Sequence, residues 1–327
     1  MTTDRLSRSS VQRVLAGAAG EGQRLDNFLL RTLSGVPRSR VYRLLRRGEV
    51  RVNGKRSKAD YRLAASDEVR LPPVLETPAA GVVPRRPTDR LLASVRAAIV
   101  FEDARMLVLN KPAGLAVHGG SGLAFGAIEA LRALRPAEPL ELAHRLDRDT
   151  SGCLLVARDR PALRMLHALL REGRIEKRYA ALVAGRWRLG RKTIDAPVLT
   201  NTRQAGERVV RVHATGKTAI SRFMPRQAFR SMATLMEVAI DTGRTHQIRV
   251  HAAFAGHPVA GDDKYGDRDF NRRMHELGLR RMFLHAAAVS FEWPDTQQPF
   301  EITVGLPDDL ANLLSRLPAA ASVSIQV

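Results

Sequence analysis

The densest cluster of chemically active side chains is the segment HRLDRDTSG at residues 144–152. It directly precedes an apolar run that begins at Cys153 and is typical of a buried strand. Polar residues at a strand start, with a glycine that allows close backbone approach, indicate a functional site. Neighbouring arginines favour an ionised carboxylate, as a nucleophile or base requires. The alternative is a turn in which Asp147 or Asp149 caps local amides and pairs with Arg148.

The sequence does not support other common kinds of active site. His144, His246 and His251 suggest metal ligands, but the last two are five residues apart and no carboxylate–histidine pair has ligand spacing. Neither common phosphate-binding glycine loop occurs, and the GxSxG elbow is missing. Cys153 is better explained as a small buried hydrophobe than as a nucleophile. We therefore expect no metal and no cofactor.

Composition and charge indicate a folded protein that binds a polyanion. The chain has 327 residues, of which 44% are hydrophobic, and carries a formal net charge of +20. Residues 1–72 contain 14 Arg and 2 Lys against 7 acidic residues, so this part is the expected docking element. The single cysteine excludes an internal disulfide, and no apolar stretch has the length of a membrane-spanning helix. We expect a cytoplasmic protein that does not bind a membrane.

The distribution of proline and of apolar residues predicts the domain organisation. Residues 72–87 contain five of the chain's 17 prolines with little periodicity, which is typical of a semi-rigid linker. Beyond them, predicted strands and helices do not alternate regularly, so a mixed, mainly antiparallel α+β domain fits better than a doubly wound fold. We predict four segments: a flexible lead-in at 1–21, a small basic domain at 22–72, a linker at 73–95 and a large domain at 96–327.

The small basic domain combines two predicted helices with a hairpin. The helices run from Arg24 to about Leu33 and from about Ser39 to Arg47, and Asn53-Gly54 is a strong type I′ turn signal. On the second helix, arginines surround an apolar stripe without acidic partners at i+4, which favours an RNA-binding face over a merely solvated one. The candidate RNA-binding residues are Arg38, Arg40, Arg43, Arg46, Arg47, Arg51 and Lys55.

Several motifs resemble known families. The segments RLDNFL, SRVYRLLRRGEVRVNGK and DEVRLPP resemble the S4 RNA-binding domain. The segment HRLDRDTSG resembles the signature of the ribosomal large subunit pseudouridine synthases, which isomerise uridine in ribosomal RNA. Five further segments resemble this family and occur in the expected order, so that the similarity covers about residues 22–305. They are NKPAGLAVHGG at 110–120, EKRYAALV at 176–183, TGRTHQIRVH at 242–251, HPVAGDDKYGD at 257–267 and FLHA at 283–286.

The resemblance implies roles for three catalytic residues. Asp147 matches the family's essential aspartate, and Arg244 matches the arginine that pairs with it. Tyr179 matches the active-site tyrosine, whose ring can stack on uracil while its hydroxyl assists proton transfer at C5. The alternative for Tyr179 is a strand tyrosine buried in the core.

It also implies three substrate-binding residues. Arg145 corresponds to the residue that fills the gap left when the target uridine is flipped out of the RNA stack; a structural salt bridge is the alternative. Ile248 and Leu284 are expected to line the uracil pocket.

Thr245 is predicted to cap a helix that ends before Gly256.

The implied reaction breaks the N-glycosidic bond of a uridine, rotates the uracil and joins its C5 to C1′. Asp147 could attack the nucleoside or remove the C2′ proton to give a glycal, and the sequence leaves both routes open. The implied partner is large-subunit (23S) ribosomal RNA, modified at several uridines by a monomeric enzyme. The alternatives are a non-catalytic RNA-binding ribosome assembly factor and a synthase that acts on transfer RNA or messenger RNA.

Overall fold

The protein forms two compact units, residues 1–85 and 86–327. The computed structural model describes residues 10–33, 36, 38–73, 86–119, 125–204 and 207–318. Residues 1–9 of the predicted lead-in and 74–85 of the predicted linker lie outside these ranges.

The first unit packs short helices against a three-stranded antiparallel sheet of order β1-β3-β2. Its elements are β1 (Gln12–Leu15), α1 (Gly17–Gly20), α2 (Leu25–Thr32), α3 (Arg38–Arg47), β2 (Arg51–Val52) and β3 (Glu68–Leu71). Residues 12–20, which the sequence assigned to a flexible lead-in, are therefore part of the folded unit, because β1 pairs with β3 over its whole length. Asn53 and Gly54 have φ angles of 49° and 76°, as a type I′ turn requires.

The apolar sides of α2 and α3 form the core of this unit. Leu25 and Leu29 of α2 and Val41 of α3 are fully buried, and they belong to one cluster with Val69 of β3. Burying each such side chain stabilises the unit by about 1.5–3 kcal/mol. The exposed arginines lie on the opposite side of α3.

The second unit is built on a large mixed sheet. Its elements are α4 (Asp89–Ala97), β4 (Ile99–Glu102), β5 (Met106–Lys111), α5 (Ala127–Leu134), β6 (Glu141–Leu142), β7 (Ser151–Ala157), α6 (Arg160–Glu172), β8 (Glu176–Ala184), β9 (Lys192–Asp195), β10 (Val198–Gln204), β11 (Glu207–Val212), β12 (Ile220–Phe229), β13 (Ala233–Ile240), α7 (Gln247–Phe254), α8 (Arg268–Glu276), β14 (Leu284–Glu292), β15 (Pro299–Thr303) and α9 (Asp308–Arg316).

Within the described ranges this sheet has ten strands in the order β4-β5-β7-β14-β8-β13-β12-β9, with β6 on β7 and β15 on β14. The pairing of β7 with β14 is parallel, and the other pairings described in the sheet are antiparallel. The predicted α+β class is confirmed. Helix α4 begins inside the range predicted as linker and buries Val95 in the main core, so the end of that range is folded.

The parallel contact between β7 and β14 positions the HRLDRDTSG segment. Gly152 pairs with Ala286 and has a φ angle of 109°. A Cβ atom at Gly152 would lie 2.2 Å from the carbonyl oxygen of Ala286, so a larger residue would push the strands apart. The close backbone approach expected at this glycine is therefore present.

The described helices include none that is both long and apolar enough to cross a membrane.

Candidate active site

Asp147 lies on the loop of residues 143–150 between β6 and β7, here called the Asp147 loop. His144 anchors its start, because the His144 Nε2 accepts a hydrogen bond of 3.0 Å from the backbone N–H of Leu155. Burial lowers the pKa of His144 to about 4, which keeps the ring neutral and able to accept this bond. Asp149 forms an exposed ion pair of 3.2 Å with Arg148. The alternative interpretation of this segment, as a turn, expected such a pair for one of its two carboxylates.

A fully buried lysine anchors the end of the Asp147 loop. The Lys111 Nζ donates hydrogen bonds to the carbonyl oxygens of Pro112, Leu115 and Arg148 at 2.8–3.0 Å. The backbone N–H of Gly114 donates to the same Arg148 carbonyl at 2.9 Å. These bonds tie the loop to the end of β5 and hold Asp147 just before the start of β7.

A cleft opens beside Asp147. All six residues predicted to be catalytic or to bind substrate line it: Asp147, Tyr179, Arg244, Arg145, Ile248 and Leu284. The residues come from the Asp147 loop, β8, the segment before α7, α7 itself and β14. The structure thus brings together positions that are up to 139 residues apart in the chain, from Arg145 to Leu284.

The arginine that pairs with Asp147 is Arg249, and the prediction that Arg244 has this role is wrong. The Arg249 Nη1 donates to the Asp147 Oδ2 at 3.3 Å, and both side chains are largely buried. The Arg244 side chain instead donates from Nε to the carbonyl oxygen of Thr218 at 3.0 Å. Its backbone N–H donates to the Gln247 Oε1 at 3.0 Å, which fixes Arg244 in an exposed position at the cleft wall.

Arg249 is itself held by a buried carboxylate. Its Nε and Nη2 donate to the two oxygens of Asp262 at 2.7 and 2.8 Å, a bidentate geometry that fixes the guanidinium plane. Although burial opposes the charge, the bonds from Arg249 lower the pKa of Asp262 below its ordinary value. The guanidinium also lies 5.0 Å from the centre of the Tyr265 ring. Asp262 and Tyr265 therefore orient the partner of Asp147.

Tyr179 and two aliphatic side chains give the cleft an apolar interior. Tyr179, Ile248 and Leu284 are 7%, 5% and 4% exposed. Burial, and then the charge of Asp147, raise the pKa of Tyr179, so its hydroxyl stays protonated. A protonated phenol can donate a hydrogen bond and present its ring to a base. Arg145 is exposed at the mouth of the cleft.

Helix α7 begins at Gln247, and the residue that precedes it is His246 rather than the predicted cap Thr245. His246 has a φ angle of 55°, in the left-handed region. Its ring lies between two groups: Nε2 is 3.8 Å from the Asp147 Oδ2, and Nδ1 is 2.8 Å from the Tyr265 hydroxyl. Thr245 is a cleft-lining residue.

Among the described residues, no group of three or more His, Cys, Asp or Glu side chains could hold a metal ion. His251 lies on the buried side of α7, where it contacts the Ser221 Oγ and the Ala196 carbonyl oxygen at 3.0 and 2.9 Å. Cys153 is buried, and burial raises the pKa of its thiol to about 11. These surroundings indicate a structural role for His251 and for Cys153.

The predicted RNA-binding residues of the first unit lie on α3 and the hairpin after it. Arg43, Arg46 and Arg47 are exposed on α3, and Arg40 is half-buried. The Arg38 side chain lies outside the described part of the structure. The exposed residues that extend this surface into the hairpin are Arg51 and Lys55.

Sequence reasoning missed four residues of the active site and two of the basic surface. Arg249, His246, Asp262 and Tyr265 lie within the family-like segments TGRTHQIRVH and HPVAGDDKYGD, so the motifs pointed to their neighbourhood without assigning them. Two concave surfaces, of which one is also lined by α3, are both lined by Arg56 and Lys58, which share the basic run KRSK with the predicted Lys55.

Comparison with known proteins places this geometry in a family. The family model for RNA pseudouridylate synthase matches residues 105–254, and the model for the S4 domain matches residues 23–69. Ribosomal large subunit pseudouridine synthase C of Escherichia coli (strain K12) is 53% identical over 313 residues, which cover 94% of this chain and 97% of that protein. The protein of the same name from Haemophilus ducreyi is 50% identical over 320 residues, or 98% and 99% of the two chains.

Two solved structures are similar as well. Human RNA pseudouridylate synthase domain containing 1 has a TM-score of 0.57 at 25% identity, and the match covers 69% of this chain and 90% of that one. Human RNA pseudouridylate synthase domain containing 4 has a TM-score of 0.58 at 25% identity, over 70% and 97%. Both resemblances identified from the sequence motifs are confirmed. The chain belongs to the family of RNA pseudouridine synthases that carry an N-terminal S4 domain.

Proposed function

We propose that this enzyme converts specific uridines of large-subunit (23S) ribosomal RNA into pseudouridines, at several sites. The observation that carries the proposal is the Asp147 carboxylate, held by Arg249 in a cleft with Tyr179. The near full-length relatives named ribosomal large subunit pseudouridine synthase C support the choice of RNA. A cytoplasmic, monomeric enzyme without a cofactor fits this role.

The proposed reaction requires a charged carboxylate next to a uracil ring whose faces are contacted by apolar side chains. Asp147 either attacks the nucleoside or removes the C2′ proton, and in both routes the Arg249 guanidinium is its counter-ion. The apolar surfaces of Tyr179, Ile248 and Leu284 hold the detached uracil while it turns. The reaction ends when C5 bonds to C1′ and the C5 proton leaves.

The cationic residues at the cleft mouth, at the cleft wall and on α3 serve substrate delivery. Arg145 is exposed at the cleft mouth, where a long cationic side chain can fill the gap left by a flipped uridine. The arginines of α3 bind phosphates, a contribution that falls steeply with salt. Arg244 contributes a further positive charge at the cleft wall.

The test is tritium release from C5-labelled uridine in a large-subunit ribosomal RNA transcript, with Asp147→Asn as the matched control. We expect release by the wild-type protein, and loss of release with nearly unchanged RNA affinity in the variant, because Asn removes the charge at similar volume. Turnover by Asp147→Asn would refute the role of Asp147. Release from transfer RNA or messenger RNA alone would reassign the substrate. If the wild-type protein bound an assembly intermediate without modifying it, the assembly-factor alternative would replace the proposal.

A further inference from the structure

His246 stands beside the catalytic carboxylate in an unusual backbone conformation. Its φ angle of 55° lies in the left-handed region, which costs a residue other than glycine about 1 kcal/mol or more. This conformation ends the preceding loop and places the imidazole against the cleft, with Nε2 3.8 Å from the Asp147 Oδ2. Such strain is found where the surrounding structure requires a side chain in one position.

The hydrogen bonds of Tyr265 favour one tautomer of the neutral His246 ring. The Tyr265 hydroxyl accepts a bond of 3.0 Å from the backbone N–H of Val210 and lies 2.8 Å from the His246 Nδ1. Because the backbone N–H can only donate, the phenol is free to donate its own proton to Nδ1. The neutral ring then carries its proton on Nε2, which faces Asp147.

The charge state of His246 agrees with this arrangement. Burial lowers the pKa of His246, and the positive charges of Arg249 and Lys264 lower it further, against the opposing effect of Asp147 and Asp262. A neutral imidazole with a fixed tautomer is a directed hydrogen-bond donor.

Within the described structure, Arg249 and His246 approach the same carboxylate oxygen of Asp147. The Arg249 Nη1 lies 3.3 Å and the His246 Nε2 lies 3.8 Å from Oδ2. Two donors on Oδ2 leave Oδ1 as the oxygen that is presented to the nucleoside. The His246 contact is longer than a hydrogen bond, and catalytic contacts of this kind commonly tighten when substrate binds.

We propose that His246, oriented by Tyr265, is a positioning residue that anchors Oδ2 of Asp147 together with Arg249, so that Oδ1 reacts. This inference rests on the proposed function and holds for either route, since both need one defined carboxylate oxygen. A hydrogen bond to a charged group that tightens in the transition state corresponds to a loss of about 10- to 100-fold in kcat when it is removed.

Two substitutions of the same histidine test the inference. The side-chain nitrogen of His246→Gln can reach the place of Nε2, whereas that of His246→Asn reaches only the place of Nδ1. Asparagine is also the better tolerated residue at positive φ. If His246 serves only the backbone or the Tyr265 contact, His246→Asn is the better replacement; if it anchors Asp147, His246→Gln is.

The measurement is single-turnover formation of pseudouridine in the ribosomal RNA transcript, with RNA affinity and thermal unfolding recorded for each variant. We expect His246→Asn to lose about 10- to 100-fold in rate with RNA affinity within about twofold, and His246→Gln to retain several times more activity. Tyr265→Phe should lower the single-turnover rate when it is introduced into the wild-type protein. It should lower the rate little further in His246→Asn, because both substitutions act through one contact.

Equal rates for the wild-type protein and His246→Asn, or a faster His246→Asn than His246→Gln, would overturn the inference while leaving the proposed function intact. A wild-type protein that forms no pseudouridine in any RNA would overturn the proposed function itself.

Discussion

Replacing Arg249 by methionine should damage both the activity and the stability of the enzyme, whereas the same change at Arg244 should do little to either. The two arginines are five residues apart and line the same cleft. Arg249 contacts Asp147 and the buried Asp262, while the Arg244 side chain bonds to the Thr218 carbonyl. Arg244→Met is therefore a matched control for the loss of one cation from the cleft.

The expected magnitudes follow from the burial of the carboxylates. The Asp262 side chain is 0% exposed, and an unpaired buried carboxylate costs about 3–5 kcal/mol. For a unit of this size each kcal/mol lowers Tm by about 2–4 °C, so Arg249→Met should lower Tm by roughly 6–20 °C. Loss of the charged hydrogen bond to Asp147 should reduce kcat by about 10- to 150-fold.

A double variant separates the two effects. Adding Asp262→Asn to Arg249→Met removes the buried charge, so Tm should recover by several degrees while kcat stays low, because Asp147 still lacks its partner. Tritium release at saturating RNA and thermal unfolding by circular dichroism measure the two quantities. If Arg244→Met lost more kcat than Arg249→Met, the structural assignment of the partner of Asp147 would be refuted.

Three further perturbations test other parts of the structure. Burial lowers the pKa of His144 from 6.5 to about 4, so the unfolded chain binds a proton that the folded chain excludes. The free energy of unfolding should therefore fall as pH falls through this window, less so in His144→Gln, with the exposed His275→Gln as control; equal pH profiles would contradict this. Lys111→Met removes the Nζ donor from three carbonyl groups, of which that of Arg148 keeps the Gly114 N–H, and should cost about 3 kcal/mol or more in urea unfolding, whereas the exposed Lys192→Met should cost little. Arg43→Gln should reduce the slope of log K against log salt by about 0.7–0.9 if it binds a phosphate, and an unchanged slope would exclude that contact.

The parts of the fold that depend on local patterns could be predicted from the sequence. The period of the apolar residues gave α2 and α3 to within one residue at their ends, and the Asn53-Gly54 pair gave the turn. The mixed sheet followed from strands and helices that do not alternate. Folding of residues 12–20 was missed because the strand β1 is short and gains its stability from pairing with β3, more than fifty residues away.

The candidate site likewise contains residues that local sequence patterns could predict and residues that only distant contacts identify. Asp147 stood out because acidic and basic residues cluster at a strand start next to Gly152, a local signal. The choice between Arg244 and Arg249 depends on where α7 begins, and the left-handed His246 that directly precedes the helix is not revealed by the sequence. The bond between Arg249 and Asp262 joins residues 13 apart across a turn, so only the folded structure could identify it.

The unequal lengths of the two contacts of Arg249 suit the chemistry of Asp147. The guanidinium binds Asp262 through two bonds of 2.7 and 2.8 Å but reaches Asp147 through one contact of 3.3 Å. A bidentate pair with Asp147 would stabilise its resting charge and make the carboxylate a weaker nucleophile and base. Because Asp262 holds the arginine in place, Asp147 has a fixed counter-ion, yet Arg249 engages its carboxylate only weakly. Most of the negative charge therefore remains available to act on the nucleoside. The fully buried, unreactive carboxylate of Asp262 therefore supports the reaction of Asp147, and its loss should weaken catalysis without any direct contact with RNA.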